Sequence, residues 1–373
     1  MMSNLIKKIG GGLALAMYSM LAQAEYAINL PAPVNEIARQ IYDLHTITMW
    51  IIVGIAVVVY GAMFYSILKH RKSVGHKAAN FHHNTMIEIV WTTIPFIILI
   101  AMAYPATKTV LAMRDSSNPD ITVKVTGYQW KWEYDYQQDG FKFMSVLSTP
   151  REQLDGKAAK GANYLLEVDN PMVVPVGKKI RVLLTANDVI HAWWMPEFGV
   201  KQDAIPGFIR DTWFKSDKPG IFRGQCAELC GKDHGYMPIV VEVKEQADYD
   251  KWVAEQKAKV AAASKDSGKV YEVAELKAMG EKVYAANCAG CHQAKGEGMP
   301  PVFPALNGSK IVNGPKQAEI NIVMNGKEGT PMPAFGKQLS DTDIAAVITF
   351  TRNAWGNKVG DTVQSSEIKA SRK

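Results

Sequence analysis

Two short stretches of this chain hold all of its cysteines, and each sets them beside other soft or borderline metal donors. In Cys226-Ala-Glu-Leu-Cys230-Gly-Lys-Asp-His234-Gly-Tyr-Met237, two thiols, an imidazole and a thioether fall within twelve residues. Thiolate and thioether sulfur select copper, zinc or iron–sulfur, and imidazole suits copper and zinc. Methionine is a poor zinc ligand but a familiar weak axial ligand of copper, and His191 in Ile190-His191-Ala-Trp-Trp194 supplies a second imidazole. A mononuclear electron-transfer copper needs two His, one Cys and a distant Met, which leaves one thiol spare. Both thiols are used if they bridge two copper ions. The plainer alternatives are a Cys226–Cys230 disulfide and a structural zinc on Cys226, Cys230, His234 and His191; neither uses Met237.

The second stretch, Cys288-Ala-Gly-Cys291-His292, has the spacing for covalent attachment of a c-type haem, with two thioethers and a proximal imidazole. A thioredoxin-like dithiol would not need the adjacent His. A Met sixth ligand would raise the haem potential relative to a second His, and Met299, Met324 and Met332 follow the motif. With every cysteine in one of these two motifs, none remains for a disulfide framework.

Several kinds of element must position these residues, and 373 residues allow two or three domains. Residues 1–24 carry Lys7 and Lys8, an apolar stretch from Gly10 to Leu21 and then Ala22-Gln-Ala24, the arrangement of a cleavable secretory signal. Two apolar runs follow, Ile47–Leu68 and Met86–Tyr104, each near the ~20 residues that cross a bilayer. Lys69, Arg71, Lys72 and Lys77 lie between them, so the positive-inside rule puts that loop in the cytoplasm and the metal motifs outside. From Ile121 the apolar period becomes two, which predicts short strands, among them Tyr164–Val168, Lys179–Leu184 and Ile239–Val243. Trp130, Trp132, Tyr134 and Tyr136 alternate onto one face, mainly as an aromatic core. Lys244–Ala263 reads as a surface helix and Ser264–Gly268 as a linker. A helix over Glu272–Asn287 and another opened by Ser340-x-x-Asp343 flank the haem motif. The net charge of +6 is spread along the chain with no basic cluster, which argues against nucleic acid as a partner.

The order His191, then Cys-x-Glu-x-Cys-x-x-x-His-x-x-Met over Cys226–Met237, resembles subunit II of the haem–copper cytochrome c oxidases, and every ligand position of their dicopper CuA site matches. The hairpin and the fused cytochrome extend the resemblance over nearly all of the mature chain, as in caa3-type oxidases. It implies a multidomain membrane protein: a signal at 1–24, a two-helix transmembrane hairpin within 25–114, an all-β cupredoxin-like Greek-key CuA domain at 115–243, a helix and linker at 244–269, an all-α class I cytochrome c domain at 270–358 and a polar tail at 359–373.

The resemblance also implies residue roles. His191, Cys226, the Glu228 carbonyl, Cys230, His234 and Met237 would hold CuA. The Glu228 carboxylate would bind a Mg²⁺ shared with subunit I, an oxygen ligand for a hard cation. Met332, in Gly329-Thr-Pro-Met332-Pro-Ala-Phe335, stands where the family keeps the sixth haem ligand, which leaves Met324 and Met299 as packing residues. Trp130 takes the place of the exposed tryptophan that admits electrons above the copper, with Lys131 where Tyr is common. Glu88 matches the glutamate at the mouth of the K proton pathway. The expected function is electron entry to a proton-pumping cytochrome c oxidase (EC 7.1.1.9), from a soluble or membrane cytochrome c through haem c and CuA to the haem of subunit I. Oxidase subunits I and III would be the partners, and the bacterial inner membrane the location, with the copper and cytochrome domains periplasmic. One position departs: Phe208 follows Pro206-Gly207 where the family usually has Arg, a charge that Arg210 would have to supply. A nitrous-oxide-reductase-like CuA protein and a membrane-tethered redox carrier without an oxidase are the competing readings. The membrane hairpin and Glu88 argue against the first.

Overall fold

The computed structural model describes residues 29–77, 82–266, 269–336 and 338–372, so the expected signal at 1–24 lies outside the described residues. The chain divides into two compact units, one built on residues 39–107 and the other on residues 34–38 and 108–373.

The first unit is helical. Helix α1 spans Glu36–Lys69 and helix α2 spans Thr85–Arg114. Both run beyond the apolar stretches Ile47–Leu68 and Met86–Tyr104, because polar but helix-compatible turns continue each end. Ile52, Val58, Phe64, Ile87, Phe96 and Leu99 all stand exposed, and the most apolar stretch of each helix buries nothing within the chain. A helix that is apolar all round and unburied suits hydrocarbon rather than water.

The second unit begins with a β-sandwich. Its strands are β1 (Ile121–Tyr128), β2 (Lys131–Tyr136), β3 (Phe141–Ser145), β4 (Met172–Pro175), β5 (Ile180–Ala186), β6 (His191–Met195), β7 (Val200–Ala204), β8 (Arg210–Phe214), β9 (Gly220–Cys226) and β10 (Pro238–Lys244). One five-stranded sheet runs β3-β2-β1-β5-β8 and the other β4-β10-β9-β6-β7. Most neighbours are antiparallel, but β1 pairs with β5 and β4 with β10 in parallel, as strands return from one sheet to the other. On β5, Ile180, Val182 and Leu184 alternate into the core, and Trp132, Tyr134 and Tyr136 do so from β2.

The expected strand at Tyr164–Val168 does not form. The backbone turns there, Leu165 has a φ of 62°, and only Val168 bridges to Leu147. On β2, Lys131 and Glu133 are buried as well, so both faces of this strand are covered. Strict alternation predicts a solvated outer face, and tertiary contact overrides it.

Helix α3, Gln246–Asp266, buries Tyr249 and Val253 and packs Trp252 at a tilt against Tyr136 and edge-on against Phe141. It continues through Ser264–Asp266, where the linker was expected to begin. The cytochrome-like part comprises α4 (Val273–Asn287), α5 (Ala289–His292), α6 (Lys316–Asn325), α7 (Asp341–Arg352) and α8 (Ser365–Ala370). Helices α4 and α7 cross where Gly280 meets Ala346: a Cβ on Gly280 would sit 2.1 Å from the Ala346 carbonyl oxygen. Ser340 and Asp343 close a capping box at the start of α7. Residues 359–373, expected as a polar tail, instead carry α8 and bury Val363 and Ile368 in this core. Two apolar residues five apart leave no periodic signal in a polar stretch.

Candidate metal centre

The loop between β9 and β10 carries Cys226, Glu228, Cys230, His234 and Met237, and the first residue of β6 carries His191. The β6–β9 pairing aligns Trp193 with Cys226, which brings His191 over the loop from thirty-five residues earlier in the chain. Cys226 Sγ lies 3.9 Å from His191 Nδ1, 3.9 Å from Cys230 Sγ and 3.4 Å from the Glu228 carbonyl oxygen. Cys230 Sγ lies 3.4 Å from His234 Nδ1 and 3.5 Å from Met237 Sδ. The four other donors thus flank the two sulfurs, with one His and one further donor at each.

His191 is fully buried, as is Met237, and Cys226 and Cys230 are nearly so. Between the thiols, the hydrogen bond from Cys230 holds Cys226 far below the usual thiol range, while the same contact and burial push Cys230 up. One thiolate is therefore available at neutral pH, and a cation would favour the second. Soft anionic sulfur, imidazole nitrogen and thioether in one buried cluster are a donor set that fits copper.

A second layer of residues aims these ligands. Asp188 Oδ1 accepts a hydrogen bond from His191 Nε2 at 2.9 Å, which turns Nδ1 toward the sulfurs. Burial alone would lower the His191 pKa, but Asp188 and Cys226 outweigh it and hold it above its ordinary value. Gly127 lies against the ring, where a Cβ would come within 2.7 Å of His191 Cδ2. Trp132 donates from Nε1 to the Met237 carbonyl at 3.2 Å. The Cys230 carbonyl accepts from Gln129 Nε2 at 2.8 Å and from Trp130 Nε1 at 3.2 Å, so the β1–β2 turn is tied directly to the loop. Asp188, Gln129 and Gly127 gave no signal in the sequence, since their roles depend on strands meeting in space.

Trp130 is partly buried rather than exposed, because the segment Cys288–His292 covers it; a Cβ on Gly290 would lie 4.0 Å from the Trp130 ring. In that segment His292 is buried and donates from Nδ1 to the Pro304 carbonyl at 2.9 Å, which leaves Nε2 free as an iron ligand. Burial lowers the His292 pKa against the opposing Pro304 bond, which favours the neutral ring that a ligand requires. Cys288, Cys291 and His292 share one helical turn, a donor set and geometry that fit haem c. Met332 is half-buried in a loop closed by the Lys327 amide on its carbonyl at 3.2 Å, whereas Met324 packs in the core of this domain. Glu228 is exposed at the loop surface, and Glu88 stands half-buried in the first turn of α2.

Comparison with known proteins agrees with this arrangement. Residues 121–244 match the family described as cytochrome c oxidase subunit II, periplasmic domain, and residues 23–109 match its transmembrane domain. Residues 275–350 match the family described as cytochrome c oxidase, cbb3-type, subunit III. A probable cytochrome c oxidase subunit 2 of Rickettsia bellii is 36% identical over 271 residues, covering 71% of this chain and 97% of the relative. Cytochrome c oxidase subunit 2 of Cereibacter sphaeroides is 37% identical, covering 59% of this chain and 77% of the relative. Among solved structures, the periplasmic domain of subunit II of the Bradyrhizobium japonicum cytochrome oxidase is 48% identical, with a TM-score of 0.35, covering 39% of this chain and 98% of that one. The periplasmic-domain match implies CuA copper and the cytochrome match implies haem c. With its membrane-anchoring helices, its periplasmic β-domain and a fused C-terminal cytochrome c domain, this chain belongs to the subunit II family of cytochrome c oxidase.

Proposed function

We propose that this chain is the electron-entry subunit of a proton-pumping cytochrome c oxidase. Haem c and CuA, when bound, would carry electrons from a cytochrome c donor to the haem of subunit I, where oxygen is reduced to water. The convergence of four donors, each within 4 Å of one of two neighbouring sulfurs, carries this reading. When bound, the copper pair and haem c each take up and release one electron.

The chain's own residues do the rest. Cys226, Cys230, His191, His234, Met237 and the Glu228 carbonyl would hold the copper pair, the two thiolates as its anionic donors. Asp188 holds His191, and the hydrogen bonds of Gln129, Trp130 and Trp132 to the loop carbonyls limit rearrangement of the other ligands. Cys288 and Cys291 would anchor haem c, and His292 and Met332 would hold its iron. Trp130, hydrogen-bonded to the Cys230 carbonyl and lying under the Cys288–His292 segment, bridges the two centres. The exposed Glu228 carboxylate suits a Mg²⁺ shared with subunit I. Glu88, ionisable at the end of a membrane helix, admits protons to the K pathway. Subunits I and III are the partners, in the bacterial inner membrane with both redox domains on the periplasmic side.

Electron paramagnetic resonance of the oxidised protein tests the centre: one unpaired electron shared over two copper nuclei is expected. A mononuclear copper pattern, or a copper-free protein with normal haem, would overturn the assignment.

A further inference from the structure

Lys131 is out of place for its type. It sits on β2 with 3% of its surface exposed, and burial brings its pKa down to about 8. An ammonium is buried only where partners replace its water. Lys131 Nζ donates to Asn287 Oδ1 at 2.6 Å and lies 5.1 Å from the centre of the Phe335 ring and 5.9 Å from that of Tyr128. Only Tyr128 belongs to the β-sandwich. Asn287 is the residue before Cys288, and Phe335 closes the loop that holds Met332. One side chain of the copper domain therefore grips both segments that would flank haem c.

Lys232, in the ligand loop, donates to the Gly290 carbonyl at 3.2 Å, and Trp130 lies beneath Gly290. Beside these contacts a cleft of about 470 Å³ opens between the domains, lined by Glu133, Lys142, Ser340 and Asp343 among others. The haem-attachment segment is thus set over Trp130 by polar contacts from the ligand loop and from Lys131, with Asp233 also beside Gly290. An apolar side chain could cover the same area in many orientations, but a buried ammonium with one hydrogen-bond acceptor and two ring faces is satisfied in very few.

We infer that Lys131 is an interdomain positioning residue: its hydrogen bond to Asn287 and its seat on Phe335 hold the cytochrome domain with the Cys288–His292 segment against Trp130, and so set the rate of haem-to-copper electron transfer within the chain. This rests on the electron route proposed above. One electron leaves reduced haem c and arrives on the oxidised copper centre, and no bond is made or broken.

The test uses the full oxidase holding both cofactors. In Lys131→Met, flash reduction of haem c should be followed by copper reduction roughly tenfold or more slower than in the parent, because small misplacements of redox partners are costly. The haem spectrum, the copper resonance and both potentials should be unchanged, and backbone hydrogen exchange over 284–292 should quicken. Lys131→Arg should restore much of the rate. Asn287→Leu should reproduce the defect, and the double variant should add little to either single change. A Lys131→Met protein with the parent's transfer rate and exchange would overturn the inference. If the parent itself passes no electrons from haem c to copper, the proposed route fails, and the exchange measurement still decides the positioning role.

Discussion

Asp188 and Lys131 show how single side chains outside the ligand sets control them. Asp188 accepts from His191 Nε2 with one oxygen and from the Gln129 amide at 2.8 Å with the other, so one carboxylate orients both a ligand and the turn that carries Trp130. Asp188→Ala should weaken copper binding by about 10- to 100-fold, measured by competition with a chelator. An affinity equal to the parent's would show that strand packing alone aims His191. For haem c, Met332→Ala should give a high-spin spectrum and a lower potential. A low-spin spectrum like the parent's would move the axial role to another methionine, although Met324 is packed in the domain core.

At the scale of elements, close crossings set the architecture. Helices α4 and α7 pack only because Gly280 lacks a side chain against the Ala346 carbonyl. Gly280→Val should destabilise the cytochrome domain by about 3 kcal/mol through overpacking, read as a fall in the midpoint of thermal unfolding of that domain. A midpoint within a degree or so of the parent's would mean the helices can separate without loss. On α6, burial outweighs the Thr351 hydrogen bond and nearby Arg352 and raises the Glu319 carboxyl from 4.5 to about 7. The folded domain then holds this proton more tightly than the unfolded chain does. Its contribution to stability is full below pH 4.5 and is lost as pH rises through about 7. Thermal unfolding followed across that range should show the loss, and Glu319→Gln should flatten it.

For the whole molecule, the prediction concerns protons rather than electrons. Glu88→Gln should slow steady-state oxygen reduction at saturating donor while leaving the haem and copper spectra of this chain unaltered. Full turnover would remove Glu88 from the proton route and make it an ordinary interfacial residue. Slow turnover with normal haem-to-copper transfer would separate its role from that of Lys131.

Both metal motifs, the two apolar helices, the capping box at Ser340 and the alternation of β1 and β5 were legible in the chain because each is a local property: ligand spacing, hydrophobic length or period. Even His191, far from its loop, announced itself once a copper site needed a second imidazole. What decides the function of the remaining residues is contact between segments distant in sequence. The absent strand at Tyr164–Val168, the buried end of the chain at Val363 and Ile368, and the covered outer face of β2 all went against local pattern. Lys131, Asp188 and Gly290 look like ordinary polar or small residues until β2, the ligand loop and the haem-attachment turn meet. Burial and hydrogen-bond geometry exist only in that meeting, so the fold alone could turn a lysine of a strand into the clasp between two redox domains.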